Sequence, residues 1–284
     1  MRELPVSLGV CFSDRQLYYA VSDKENPSSL SRIGKIDFNF DLLPSILSRE
    51  ADTYKAIVDN IDRLVKKHEV TEFRCLVPAH LETWSALPKS VYDEPSEREA
   101  YLRILKHGES RQQLEAFWFD MSNRDFRFLA VRNRTRSDNF AQLGDICATT
   151  ELCSEFEIGL RWMKLTQSTD SFKAIGCYSN VITVSSFVMG KLRAATFIRF
   201  RHIEDLSYLW LQQASNLGWM NGVHDTICYY GNNVFKVNEV LQHIIDHEAR
   251  QLRFDTLANM QVNAPEETYG FNLEEAFPAI ILAH

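Results

Sequence analysis

The chain has 284 residues, of which 45% are hydrophobic, 12% aromatic and 24% charged, a balance that excludes disordered and fibrous classes. Its 31 Lys and Arg against 38 Asp and Glu leave a net charge of −7, which argues against a dedicated nucleic-acid binder with its basic excess. At ~100–200 residues per domain, the length allows one large domain or two lobes.

Two stretches, Ala174–Gly190 and Leu206–His224, contain no Asp, Glu, Lys or Arg. Their Ser, Asn and Gln residues make them too polar for a bilayer span of ~20 apolar residues, so they read as interior sheet and helix. The opening Met1-Arg2-Glu3-Leu4-Pro5 has no apolar core or cleavage site, so no signal peptide is expected. Six cysteines without a C-x-x-C pair then read as reduced core thiols in a cytoplasmic protein.

Val6, Leu8, Val10 and Phe12 alternate, predicting a strand, and Leu17–Val21 returns after the turn Ser13–Gln16 as a hairpin. Ile33–Phe40 adds a third strand to that sheet. Apolar residues then recur at three and four over Asp52–His68 (Tyr54, Ile57, Val58, Ile61, Leu64, Val65), the pattern of an amphipathic helix. A short strand follows at Glu72–Val77, stopped by Pro78. Glu97–Lys106 and Gln112–Trp118 carry further amphipathic runs. Phe119–Met121 and Phe126–Val131 read as a strand pair, and a helix begins near Asp138 with Ser137 or Asp138 as its cap.

Ala174–Phe200 repeats the opening pattern of three strands, with turns at Ser179-Asn180 and Gly190-Lys191. Helix is predicted over Glu204–Leu217, strand over Asp225–Tyr230 closed by Gly231-Asn232-Asn233, and helix over Val237–Leu252. Polar Gln261–Thr268 leads to a last helix, Leu273–Ala283, which Pro278 should kink or start.

No P-loop, G-x-S-x-G elbow, H-E-x-x-H or dinucleotide fingerprint is present. His243 and His247, with Asp246 and Glu248 beside them, lie four apart on a predicted helix. That spacing can seat a metal, although a solvated, charged flank explains it more simply. Cys147 and Cys153 have no clustered histidine and read as core packing. Arg132, Arg134 and Arg136 could meet an acidic partner or a headgroup, but as a strip they read first as a solvated loop. Asn133-Arg134-Thr135 fits the glycosylation pattern only formally. The consecutive aromatics Phe117, Trp118 and Phe119 cannot all face one core, so two packed layers are expected.

Two hairpin-led strand–helix units, joined by a connecting helix and closed by a terminal helix, resemble the actin-like ATPase fold, and more narrowly the PilM-like family of type IV pilus machines. The order is also similar to the cytoplasmic actin-like domain of GspL in type II secretion. Leu8–Ser13 stands at that family's first phosphate hairpin, and Leu76-Val77-Pro78 at its proline-ended strand. Gly190-Lys191-Leu192, Arg199 and Ile203–Leu206 resemble the strand and helix after the second hairpin. Ala276–Ala283 matches the terminal helix. The resemblance implies a two-lobed, ribonuclease H-like α/β fold with mixed sheets. Residues 1–170 plus 265–284 would form a first lobe with a subdomain inserted at about 78–131, and residues 171–264 a second.

It also implies a nucleotide cleft at Cys11, Phe12, Ser13, Asp14, Cys177, Tyr178, Ser179, Asn180, Gly231, Asn232 and Asn233. Hydrolysing members have an acid and a glycine in each phosphate hairpin, the acid for the metal-bound phosphates and the glycine for close backbone approach. Here Asp14 comes late, and in a period-2 strand a one-residue shift points it to the other face. The second hairpin has no acid between Lys173 and Lys191. Phe12 and Tyr178 would fill space that phosphates need, and little remains to hold Mg²⁺.

The expectation is therefore a non-catalytic scaffold with neither metal nor cofactor. It would sit in the cytoplasm, peripheral to the inner membrane, and bind protein partners such as the cytoplasmic tail of an inner-membrane component, with no nucleic acid and no membrane span of its own. Two alternatives stay open: a divergent actin-like ATPase or kinase, which needs Asp14 or another carboxylate in the cleft, and an actin-like protein unconnected with pili.

Overall fold

The computed structural model describes residues 5–23, 25–26, 29–106, 108–222, 224–245, 248–264 and 270–284. Strand β1 (Ser7–Phe12) lies between β2 (Gln16–Ser22), antiparallel with Leu8 opposite Val21, and β4 (Glu72–Val77), parallel with Leu8 opposite Phe73. Strands β3 (Leu30–Asp37) and β8 (Thr149–Ser154) complete a sheet of order β3-β2-β1-β4-β8. The third strand, expected at Ile33–Phe40, begins and ends three residues earlier. Phe38 donates its N–H to Arg15 O, and the chain turns into helix α1 (Leu42–Ser48), unpredicted, whose Leu42 N–H bonds Asp14 O at 2.9 Å.

Alternation along β1 separates two layers. Leu8 and Val10 pack with Ile57, Ile61, Leu64 and Val65 of helix α2 (Ala51–His68), each such burial contributing roughly 1.5–3 kcal/mol. Gly9 faces the last helix so closely that a Cβ would lie 2.1 Å from Ala279 O. Only glycine fits there.

The inserted segment contains β5 (Glu82–Pro88), α3 (Lys89–Asp93), α4 (Pro95–Leu105), β6 (Leu114–Asp120) and β7 (Phe126–Asn133), with sheet order β5-β7-β6. The run Gln112–Trp118, amphipathic in the sequence, is mostly strand because it pairs with β7 from Leu114↔Asn133 to Asp120↔Arg127. Phe117 and Phe119 pack against the central core while Trp118 joins a second cluster, the two layers expected of the three aromatics.

Helix α5 (Arg134–Ala141) has Asn133 at its N-cap position, four or five residues ahead of the expected Ser137 or Asp138. Helix α6 (Glu157–Thr166) then connects to a second sheet. Its strands are β9 (Phe172–Cys177), β10 (Val181–Val188), β11 (Lys191–Arg199), β12 (Thr226–Gly231) and β13 (Arg250–Arg253), in the order β11-β10-β9-β12-β13. Both sheets thus share one plan: three antiparallel strands joined by hairpins, then two parallel ones. Helix α7 (Leu206–Asn216) covers β11, but it is not interior throughout, since Tyr208 and Leu211 are exposed. Helix α8 (Val234–Leu241) is shorter than the predicted Val237–Leu252, because Arg250–Arg253 pairs with β12 as a strand.

After α9 (Leu257–Met260), α10 (Leu273–Ala283) is capped by Asn272, whose side chain accepts from Glu274 N–H, and it carries Pro278 inside rather than at its start. Every residue from Ala276 to Ala283 is buried, as befits a helix covered all round. It packs on β1 and β2 and reaches β12, and beside β13 Phe277 stacks on Phe254 at 3.9 Å and Arg253 makes a bidentate pair with Glu274. Among the described residues no helix is long and apolar enough to cross a membrane.

Arg132 is no part of an exposed basic strip, because its place on β7 points it inward. Its side chain is 2% exposed, ion-paired to a Glu82 side chain that is 0% exposed, and it donates to Leu152 O and Ser154 Oγ at 3.0 and 2.8 Å. Removing one partner of such a pair strands the other charge. Arg132→Met is expected to lower stability by about 3–5 kcal/mol, read as a fall in the urea midpoint, and adding Glu82→Gln should recover much of it. An unchanged midpoint for the single variant would contradict the buried pair.

Candidate functional site

Three turns converge between the sheets. The β1–β2 turn is closed by Ser13 N–H to Gln16 O at 2.9 Å, and the β9–β10 turn by Tyr178 N–H to Val181 O at 3.0 Å. The third follows β12, where Gly231 has φ +108° and a Cβ would lie 2.2 Å from Cys177 O. That position requires glycine. Seven of the eleven sequence-named cleft residues line the crevice: Phe12, Ser13, Asp14, Tyr178, Ser179, Asn180 and Asn232. Cys11, Cys177 and Gly231 lie buried beneath it, and the Asn233 N–H bonds Cys177 O at the start of α8.

Asp14 is not turned away. It sits in the turn beyond the last strand residue, where the two-residue side-chain period no longer applies, and its carboxylate accepts from Ser179 Oγ at 2.8 Å. Asn232 Nδ2 donates to Ser179 Oγ and Ser13 Oγ at 3.0 and 3.3 Å.

A second carboxylate enters from a residue the sequence pattern does not single out. Glu155 follows β8 directly, is 1% exposed, and accepts the Tyr178 hydroxyl. Tyr230 and Thr183 also reach its carboxyl. Gly176 makes the approach possible: a Cβ there would lie 2.7 Å from Glu155 Oε1 and 2.5 Å from Thr183 Oγ1. Burial pushes the Glu155 carboxyl up to about 7, against the opposing pull of the hydroxyls. The signal that could have found it is positional, a Ser-Glu pair ending a strand that its mixed residues hide.

The inner crevice has a volume of about 90 Å³, against ~300–1,000 Å³ for ordinary small-molecule pockets. It opens into a basin of 920 Å³ lined by Asp14, Asp37, Asp41 and Glu275, with Arg15 ion-paired to Asp41. Mg²⁺ bridged to a triphosphate needs free carboxylate oxygens and room for phosphates. Asp14 accepts from Ser179, burial keeps much of the Glu155 carboxyl protonated near neutrality, and Tyr178 lines the crevice with its hydroxyl on Glu155. The inner crevice, at about 90 Å³, does not fit a metal–triphosphate.

Other chemistry-bearing groups are structural. Glu151, Cys153 and Glu157 lie close enough to share an ion, but Arg161 hydrogen-bonds both Glu151 and the Cys153 sulfur, and Arg74 pairs with Glu151 at 3.2 Å. Cys147 is half-buried and free, with its thiol pushed up to about 11 by burial. Ser186 Oγ stands 2.7 Å from His224 Nε2, yet the two are 0% and 2% exposed, where no substrate reaches. His243 lies past the end of α8, and its expected companions Asp246 and His247 fall outside the described residues.

No protein-family model matches the sequence, and no curated protein matches it either. Solved structures do. A chain of the PilM–PilN type IV pilus biogenesis complex matches with a TM-score of 0.69 over 98% of this chain and 96% of that one, at 11% identity. The cytoplasmic domain of EpsL, an inner-membrane component of the Vibrio cholerae type II secretion system, matches at 0.55 over 94% and 97%, at 10% identity. A Bacteroides thetaiotaomicron protein of unknown function, described as having an actin-like ATPase fold, matches at 0.50 over 90% and 94%, at 12% identity. This chain has the actin-like ATPase fold. Likeness at such identities defines architecture, and activity has to be argued from the site.

Glu155 gives the site a pH signature. Below about pH 4.5, its ordinary value, folded and unfolded chains both hold the proton. Between there and about 7 only the folded chain does. Stability should therefore fall across that window by about 3 kcal/mol more in the wild type than in Glu155→Gln, measured by urea unfolding at each pH. Parallel curves for the two proteins would mean the carboxyl is not buried as described.

Proposed function

We propose that this protein is a non-catalytic actin-like scaffold that recruits a protein partner at the cytoplasmic face of a pilus or secretion machine. The observation that carries the non-catalytic half is the crevice: both carboxylates that reach it are hydrogen-bonded by the chain's own hydroxyls, from Ser179 and Tyr178. The likeness to a chain of the PilM–PilN complex and to an inner-membrane secretion component supports the partner half. The two five-stranded sheets and the separate three-stranded one support a division into a first lobe (1–170 plus 265–284), its insert (about 78–131) and a second lobe (171–264).

A docking site is available between insert and first sheet. Strands β6 and β8 are each the terminal strand of their sheet, and a groove of 420 Å³ runs between them, lined by Glu115, Phe117, Phe119, Asp138, Leu152 and Glu157 among others. A terminal strand can accept an extended segment by main-chain pairing, with the Leu152 carbonyl of β8 already taken by Arg132. The aromatic floor and acidic walls suit a tail with apolar anchors and basic residues, and such electrostatic matching chiefly speeds and orients the encounter.

One group favours a rival reading in which the crevice keeps a small ligand without chemistry. Asn232 Oδ1 is buried with no hydrogen-bond donor among the described residues. Shifts of the Asn232 side-chain amide signals on adding adenosine, without turnover, would support that reading.

The scaffold reading is tested by tagging the protein in its native host and solubilising membranes before capture. A membrane-anchored partner should be recovered with the wild type and lost with Glu115→Lys/Asp138→Lys. Recovery of no such partner, or undiminished recovery with the charge-reversed variant, would count against it.

A further inference from the structure

Polar contacts cross the crevice at two depths, and each joins groups carried by opposite sheets. At the mouth, Ser179 Oγ on the β9–β10 turn donates to Asp14 on the β1–β2 turn at 2.8 Å. Asn232, after β12, donates to Ser13 Oγ at 3.3 Å. Deeper, the Tyr178 hydroxyl from the second half meets Glu155, which follows the last strand of the first. The side of the crevice is fastened too. Arg199 Nη2 on β11 donates to His80 O at 2.8 Å, Ser122 N–H bonds Leu192 O at 2.7 Å, and Trp84 packs edge-on to Phe197 at 5.3 Å.

Halves of a bilobal protein move by default unless the interface between them is large and apolar. Here the base of the crevice meets that condition, since one apolar cluster includes Cys11 and Tyr18 of the first sheet, Phe128 of the insert, Phe187 and Tyr230 of the second, and Phe277 of α10. The mouth has no such core. What holds it is the polar set, and the deeper contact is shielded from water, where a hydrogen bond is worth more than at the surface.

We propose that the protein closes its own crevice: the Asp14–Ser179 hydrogen bond joins the two hairpins and the Glu155–Tyr178 hydrogen bond ties the second hairpin to the end of β8, together latching the halves without nucleotide. The chain's own groups take the bridging role between the halves, and any surface spanning both halves is presented in one fixed disposition. The idea is separable from the scaffold reading, because a non-catalytic protein whose mouth swings freely would keep that function and lose the latch.

Hydrogen–deuterium exchange of the full chain, read by mass spectrometry, tests it across the crevice. The substitutions Tyr178→Phe and Ser179→Ala are made together in the second half, and exchange is read in first-half peptides covering residues 7–22. Losing both bonds should make that opposite hairpin exchange about tenfold faster, whereas a purely local effect would stay within residues 174–188. Glu155→Gln, which still accepts from Tyr178, should keep the wild-type rate. Excess ATP and Mg²⁺ should leave both wild-type hairpins unchanged. Should the double variant fail to fold, Ser179→Ala alone, at an exposed turn, should give a smaller rise in the same first-half peptides. Unchanged exchange over 7–22 in the latch variants, or nucleotide-dependent protection of the wild-type hairpins, would overturn the proposal.

Discussion

The contact between Glu155 and Tyr178 constrains more of this molecule than any other. A carboxyl 1% exposed at the centre of a protein is tolerated only if it is neutral or fully hydrogen-bonded, and here the hydroxyls and the retained proton serve that need together. Gly176 has to lack a Cβ for the carboxyl to enter. Tyr178 has to project into the crevice rather than out of it, which removes the space a phosphate chain would use. A single buried acid thereby ties together the placement of Gly176, Tyr178, Thr183 and Tyr230 around the crevice.

Beneath it, α10 packs against both sheets and gives them a shared core. Its unbroken run of buried residues from Ala276 to Ala283 faces β1 through the absence of a side chain at Gly9 and faces the second half through the Phe277–Phe254 stack. A helix apolar all round has no solvent face to offer, so the two sheets must enclose it. The repeated strand plan gives each half its own sheet, and the shared helix gives them one core.

Much of this architecture is legible in the sequence. The hairpin at Val6–Val21, the strand ended by Pro78, the helix over Asp52–His68 and the repeat at Ala174–Phe200 all carry clean periods, and the structure places elements there. Elements that lose their period are the ones missed. Strand β8, Thr149–Ser154, mixes polar and apolar residues because Arg132 and Ser154 share a buried network beside it, and β5 carries buried Glu82 for the same reason. The run after Val237 keeps helical spacing in sequence, but its C-terminal part pairs with β12 instead, a case of tertiary pairing overriding local pattern. Of the site, the three turns and the absence of an acid between Lys173 and Lys191 are visible in sequence. Glu155 is not, because its importance arises from long-range meeting with residues 23 and more positions away, and Asp14 is misjudged if strand alternation is extended into a turn.

Whether this crevice grips a metal–triphosphate is measured directly by isothermal titration of the intact protein with ATP and Mg²⁺, paired with a phosphate-release assay. No saturable heat and no turnover are predicted. Saturable, Mg²⁺-dependent binding with hydrolysis that Asp14→Ala or Glu155→Gln abolishes would contradict the non-catalytic reading.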